Sequence, residues 1–274
     1  MNKKNEARSA ALKSMAGALD KLYATTQEAV AISDGAIGTV HTGRQNRALF
    51  VFAKLIAHCM SVASLIENYR SAPKGRSLLD HFSVATLGRA IIDASLMTKY
   101  ISEPSLTADQ WDLRRQILFL HDLTNRKRFL TALERAGQPR DEAFFENYAT
   151  VKEDIQNKIE RLATKLGYQP EQAKEIGSGQ KVFIEGSRGA AREAGWNVQE
   201  FEFHQSYLSN WVHSYPVSFI RADEQGISFS DPSEYQFWLC GIVLGTSSDY
   251  LFDVNARMKL FTGSAKADPV GPFE

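Results

Sequence analysis

The sequence predicts an all-α protein, a multi-helix bundle of about seven helices with one small β-hairpin near 217–230. Apolar residues recur at three- and four-residue intervals through most of the 274-residue chain. Between those stretches fall helix stops rich in Pro and Gly and starts at Ser, Thr or Asp. Strand-like runs occur only at Val217–Ile220 and Ile227–Phe229, on either side of the turn-forming Asp223-Glu224-Gln225-Gly226.

The first helix is expected from about Glu6 to Tyr23, with Leu12, Met15, Leu19 and Leu22 on one stripe. Gly35, Gly38 and Gly43 then mark residues 34–46 as a connection. Arg44 to Arg70 reads as a strong helix, with Leu49, Phe52, Ile56, Cys59, Ala63 and Ile66 in register, and Pro73 and Gly75 end it. Leu78 to Ile101 is apolar nearly all round, as a central bundle helix is, and Arg89 and Asp93 are its only mid-helix charges. Thr107-Ala108-Asp109-Gln110 matches a capping box and opens a helix through Trp111, Ile117, Leu120 and Leu130. Asp141 to Leu166 carries a narrow apolar stripe among many charges, which suits a surface helix. Residues 168–197 are Gly-rich without sustained periodicity and read as a long loop with a short helix at 188–194. A helix from Val198 to Ser214 is broken by Pro216. Asp231 as cap and Pro232 at the first helical position then begin a last helix, to about Leu260. The expected organisation is an N-terminal helix and connection over 1–43, a bundle domain over 44–261, and a disordered tail over 262–274.

Thirty-two basic and thirty-two acidic residues cancel, so no overall field draws the chain to nucleic acid or to acidic membranes. The apolar run Leu55 to Ile66, between Lys54 and Glu67, is 12 residues, short of the ~20 that a spanning helix needs, and no membrane partner is expected. Cys59 and Cys240 sit in apolar runs as reduced core thiols. No signal-peptide core follows the basic start. The chain reads as cytosolic and soluble. Phosphate-loop, dinucleotide and nucleophile-elbow motifs are absent, which disfavours the common nucleotide-binding and hydrolase classes.

Candidate site residues cluster in two places. Arg89 and Asp93, four apart on an apolar helix, form either a structural ion pair or an anion- or carbonyl-holding pocket. In the segment Phe203–His213, helical geometry puts His204, Tyr207 and Trp211 on one side, and Ser206, Ser209, Asn210 and His213 on the other. With the second side inward, Ser209 and His213 could meet Arg89, Asp93 or His58; with the aromatic side inward, His213 is a surface or capping residue. No His-x-x-x-His, Glu-x-x-His or Cys-x-x-Cys pair exists, so neither a metal nor a cofactor is expected. The second candidate is Arg76 with His81, the only Arg followed five residues later by His. Arg126-Lys127-Arg128, with Arg114 and Arg115 upstream, is the one local cationic cluster, a solvated face or a phosphate contact.

The Arg89-x-x-x-Asp93 pair and Tyr207-x-x-x-x-x-His213 give the chain, over about 44–260, a layout that resembles bacterial helical proteins of unknown function related to the HEPN superfamily. That resemblance implies a helical, often dimeric protein, and hence a homodimer here, in a setting of toxin, defence and nucleotidyl-transfer systems. Catalytic members resemble metal-independent endoribonucleases with an Arg-x-x-x-x-His motif, whose His transfers protons while its Arg steadies the phosphate. Arg76 and His81 alone match that spacing. Ser77 fits the polar position after Arg only loosely, and the motif lies early in the chain rather than in a late helix. Two expectations result: a helical binding or accessory module with a polar pocket for RNA or a small polar ligand, and a dimeric endoribonuclease.

Overall fold

A computed structural model describes residues 3–39, 41–73 and 78–263. It is all-α: 78% of the described residues are helical and none is in a strand. Nine α-helices, rather than about seven, occur among them: α1 (Lys3–Ala36), α2 (Gly43–Ser71), α3 (His81–Ile101), α4 (Ala108–Arg135), α5 (Glu142–Lys165), α6 (Pro170–Ile176), α7 (Gly186–Glu193), α8 (Val198–Val212) and α9 (Glu234–Gly263). The Gly-rich stretch after α5 holds two of them. In α6, Pro170 occupies the first turn, where its missing N–H costs nothing, and Gln169 and Gln172 cap each other's backbone.

The chain divides into two compact units. One joins the segment up to Glu103 with the segment from Trp196 onward, and the other is the continuous stretch Pro104–Gly195. In the first unit, α1 runs along α9, and α3 lies against α2, α8 and α9. Met15, Leu19 and Leu22 of α1 and Val243, Leu244, Leu251 and Val254 of α9 are all but excluded from solvent. Thr25 Oγ1 and Ser248 Oγ pair at 2.9 Å inside this contact, and Asn255 Nδ2 donates to the Thr25 carbonyl at 2.9 Å. These hydrogen bonds to α9 let α1 continue past Tyr23, where the apolar stripe thins. In the second unit, α4 and α5 form a hairpin over a core of Leu113, Ile117, Leu120, Ile159 and Leu162, with Ile176 of α6 closing it.

The expected β-hairpin is absent. Residues 216–218 form a 3-10 turn, and local bonds such as Ile220 N–H to the Pro216 carbonyl at 2.8 Å and Ile227 N–H to Ala222 at 2.9 Å use the groups a ladder would need. The last helix also starts later than expected. Arg8 donates from Nε to the Pro232 carbonyl at 2.7 Å and pairs with Asp231, so the cap passes to Ser233, which exchanges bonds with Gln236. At Thr107 the expected capping box forms, with Gln110 Oε1 accepting from Thr107 N–H at 2.8 Å. The expected tail falls largely outside the described residues. Among those described, α2 is the one helix long and apolar enough to cross a membrane, and only 39% of its most apolar window is buried.

Candidate functional site

Helix α8 buries Phe201, Leu208 and Trp211, which turns the aromatic side of the segment inward. His204 on that side meets the Tyr250 hydroxyl at 3.4 Å, and burial holds its imidazole below the ordinary range. Ser209 nevertheless reaches α3. Its hydroxyl accepts from Arg89 Nε at 3.0 Å and donates to the Gln205 carbonyl at 2.7 Å. The Arg89 guanidinium also pairs with Asp93, one turn on; the Arg89 side chain is 18% exposed and that of Asp93 53%. Arg89, Asp93 and Ser209 are thus brought together. Tyr207, His213 and His58 go elsewhere: His213 is exposed at the end of α8, stacked on Tyr215 at 5.1 Å, and His58 lies half-buried on α2. Its pKa is lowered by burial and by Lys54.

Arg76 of the second candidate pair lies outside the described residues. His81 is fully buried. Gln236 takes two backbone N–H groups, Ser228 and Ser233, on its oxygen at 3.0 Å each, which turns its amide nitrogen to His81 Nδ1 at 3.2 Å. Nδ1 also lies 3.3 Å from the Leu79 carbonyl, so it accepts from Gln236 in one tautomer and donates to Leu79 in the other, while Nε2 is a buried atom with no hydrogen-bond partner. Trp211, edge-on to His81 at 5.7 Å, has a buried and equally unpartnered Nε1. Phe82 covers the imidazole at 4.0 Å. Burial holds the His81 pKa down against the opposing pull of the Leu79 carbonyl and Asp80.

The basic cluster is split by the fold of the second unit. Arg114 is paired with Glu193 and Arg115 with Asp112, both in largely buried positions. Arg126, Lys127 and Arg128 stay exposed, with Arg126 over Phe144 at 5.0 Å and Lys127 over Tyr148 at 4.2 Å.

Tyr207 leads to a cleft that the sequence did not single out. Its hydroxyl meets that of Tyr235 at 2.5 Å, and burial followed by the Tyr207 bond pushes the Tyr235 phenol well above its ordinary pKa. Tyr235 and Trp238, three residues apart at the start of α9, stand with ring centroids 5.8 Å apart. They line an open cleft of about 950 Å³ together with Arg8, Glu224, Asp231 and Glu234. Arg8, bound to Asp231 and Pro232, also covers the Phe237 ring at 5.5 Å, so its charge is committed to the wall. Trp238 is 45% exposed, and two further carboxylates, Glu224 and Glu234, reach the rim. Tyr235-x-x-Trp238 at a helix start was the available signal; Arg8 enters from 223 residues away in the sequence and left none. Among the described residues no three His, Cys, Asp or Glu side chains gather as metal ligands would.

No family model, no curated protein and no solved structure matches the chain.

Proposed function

We propose that this protein is a helical binding module whose ligand site is the cleft at the start of α9. The observation that carries the reading is the pairing of two aromatic side chains, Tyr235 fixed by Tyr207 and Trp238 half open to solvent, with a surplus of carboxylates. Aromatic faces and carboxylates together favour a cation, because the ring quadrupole and the acid charge act in the same direction. The ligand class is an amine or guanidinium compound. An anionic ligand would meet Glu224, Asp231 and Glu234, of which Arg8 answers Asp231, Arg221 approaches Glu224 at 3.9 Å, and Glu234 keeps its charge toward the cleft.

Arg89, Asp93 and Ser209 act as a clamp between α3 and α8, since the Arg89 guanidinium both donates to Ser209 and pairs with Asp93. The endoribonuclease alternative asks His81 to exchange protons with a bound phosphate. Its imidazole lies under Phe82, out of reach of solvent, which favours the binding reading.

Titration calorimetry of the full chain with spermidine, arginine methyl ester and, as an anionic contrast, adenosine monophosphate tests the proposal. Saturable binding of the cations, weakened about tenfold or more in Trp238→Ala and reduced in Glu234→Gln, is expected. Equal response to the nucleotide, or no response to any cation, refutes it. RNA cleavage lost specifically in His81→Ala would restore the enzyme reading.

A further inference from the structure

The outer face of α2 and α3 has the chemistry of an interface. Residues Phe50, Ala53, Lys54, Ala57, Met60, Ser61 and Ser64 are all exposed on α2, and Lys54 is the only charge among them. Phe50, 79% exposed, is the most exposed phenylalanine described. Surface helices normally turn charged residues to water on this side. The opposite side of the same helix, with Phe52, Leu55, Ile56, Cys59, Val62 and Ile66, is already buried in the bundle. Next to the exposed stripe runs an apolar groove of about 670 Å³, walled by Met60, Ser61, Ser64 and Leu65 of α2 and by Ser83, Thr86 and Leu87 of α3.

We propose that this face binds a second copy of the chain through an antiparallel α2–α2 contact centred on Ala57. Phe50, Ala57 and Ser64 are seven residues apart and lie on one stripe of the helix. A two-fold axis at Ala57 therefore sets Phe50 of each copy level with Ser64 of the other, over the partner's groove. Ala53 falls opposite Ser61, two small residues that permit close approach, and Lys54 falls opposite Met60, so no like charges meet. The knob and its receptacle thus lie at equal distances from one centre, as self-association requires. Side by side, α2 and α3 offer a face of roughly 30 Å by 20 Å, on the order of 600 Å² per partner before side-chain relief, close to the ~800 Å² that a standard interface takes from each side. Lipid is a poorer occupant, because Ser61, Ser64 and Lys54 interrupt the face and half of the helix is committed to protein.

Sedimentation velocity of the full chain is expected to show a dimer at ~10–100 μM, and Phe50→Glu a folded monomer. Phe252→Glu, at an exposed phenylalanine on α9, serves as the control and leaves the dimer intact. Ala57→Cys is expected to form a symmetric disulfide without reductant, because the axis brings the two Cα atoms within bridging distance. The native thiols are buried and supply no competing link. A monomer throughout, a dimer indifferent to Phe50→Glu, or a dimer that Ala57→Cys does not cross-link overturns the proposal. So does a monomer that floats with phosphatidylcholine vesicles, which would assign the face to lipid.

Discussion

His81 shows most plainly how burial decides what a residue can do. A histidine held neutral inside the fold, with its pKa depressed by desolvation, adds stability that is complete above the ordinary imidazole pKa and is lost as pH falls below it, because the unfolded chain then binds the proton more readily. His58, His121 and His204 are depressed in the same direction, also first by burial. The melting temperature is therefore expected to fall between about pH 7 and pH 5. His81→Asn, which keeps a hydrogen-bonding atom near Gln236 without a titrating ring, should flatten part of that slope. A scanning-calorimetry series with an unchanged slope would contradict the assignment of His81 as a buried neutral base. At this scale the sequence was legible only within one helix or between polar groups of strong type. The Arg89 and Asp93 spacing and the two-sided character of α8 could be read from residue order. Gln236 and Arg8 act across long sequence separations, at 155 residues to His81 and 223 to Asp231, and no local pattern announces such partners.

Among the elements, α3 approaches α8 and α9 closely at Gly88. A Cβ there would sit 2.6 Å from Val243 Cγ1 on α9 and 3.2 Å from Leu208 Cδ1 on α8. A branched side chain on a central helix cannot swing away cheaply, so Gly88→Ala is expected to destabilise by about 1–2 kcal/mol despite alanine's better helix propensity. Denaturant titration checks this, and a stabilised variant would show that α8 and α9 are free to move apart. Helix existence was legible wherever an apolar stripe ran long, as in α2, α3 and α5. Helix length was not. Thr25, Thr26 and Gln27 read as the thinning of α1's stripe, yet the two threonines are buried and Thr25 meets Ser248. The hairpin expected at 217–230 failed for a related reason: short apolar runs specify burial on one side, whereas a ladder also needs free backbone groups, and local turns had already taken them.

For the whole molecule, the division at Glu103/Pro104 and Gly195/Trp196 was invisible in composition, because both units mix charge and apolar residues alike. Each unit has its own core, so hydrogen exchange of the full chain is expected to resolve α4 and α5 from α1, α3 and α9 as two protection classes with different opening free energies. A single class across all five helices would show that the units open together. The pairing of the first helix with the last also carries a cost during synthesis. Thr25 and its partner Ser248 are 223 residues apart. At ~5–20 residues per second, the growing chain keeps Met15, Leu19 and Leu22 without their final cover for on the order of 10–40 s. Until α9 leaves the ribosome, that apolar stripe is a surface for chaperones to hold.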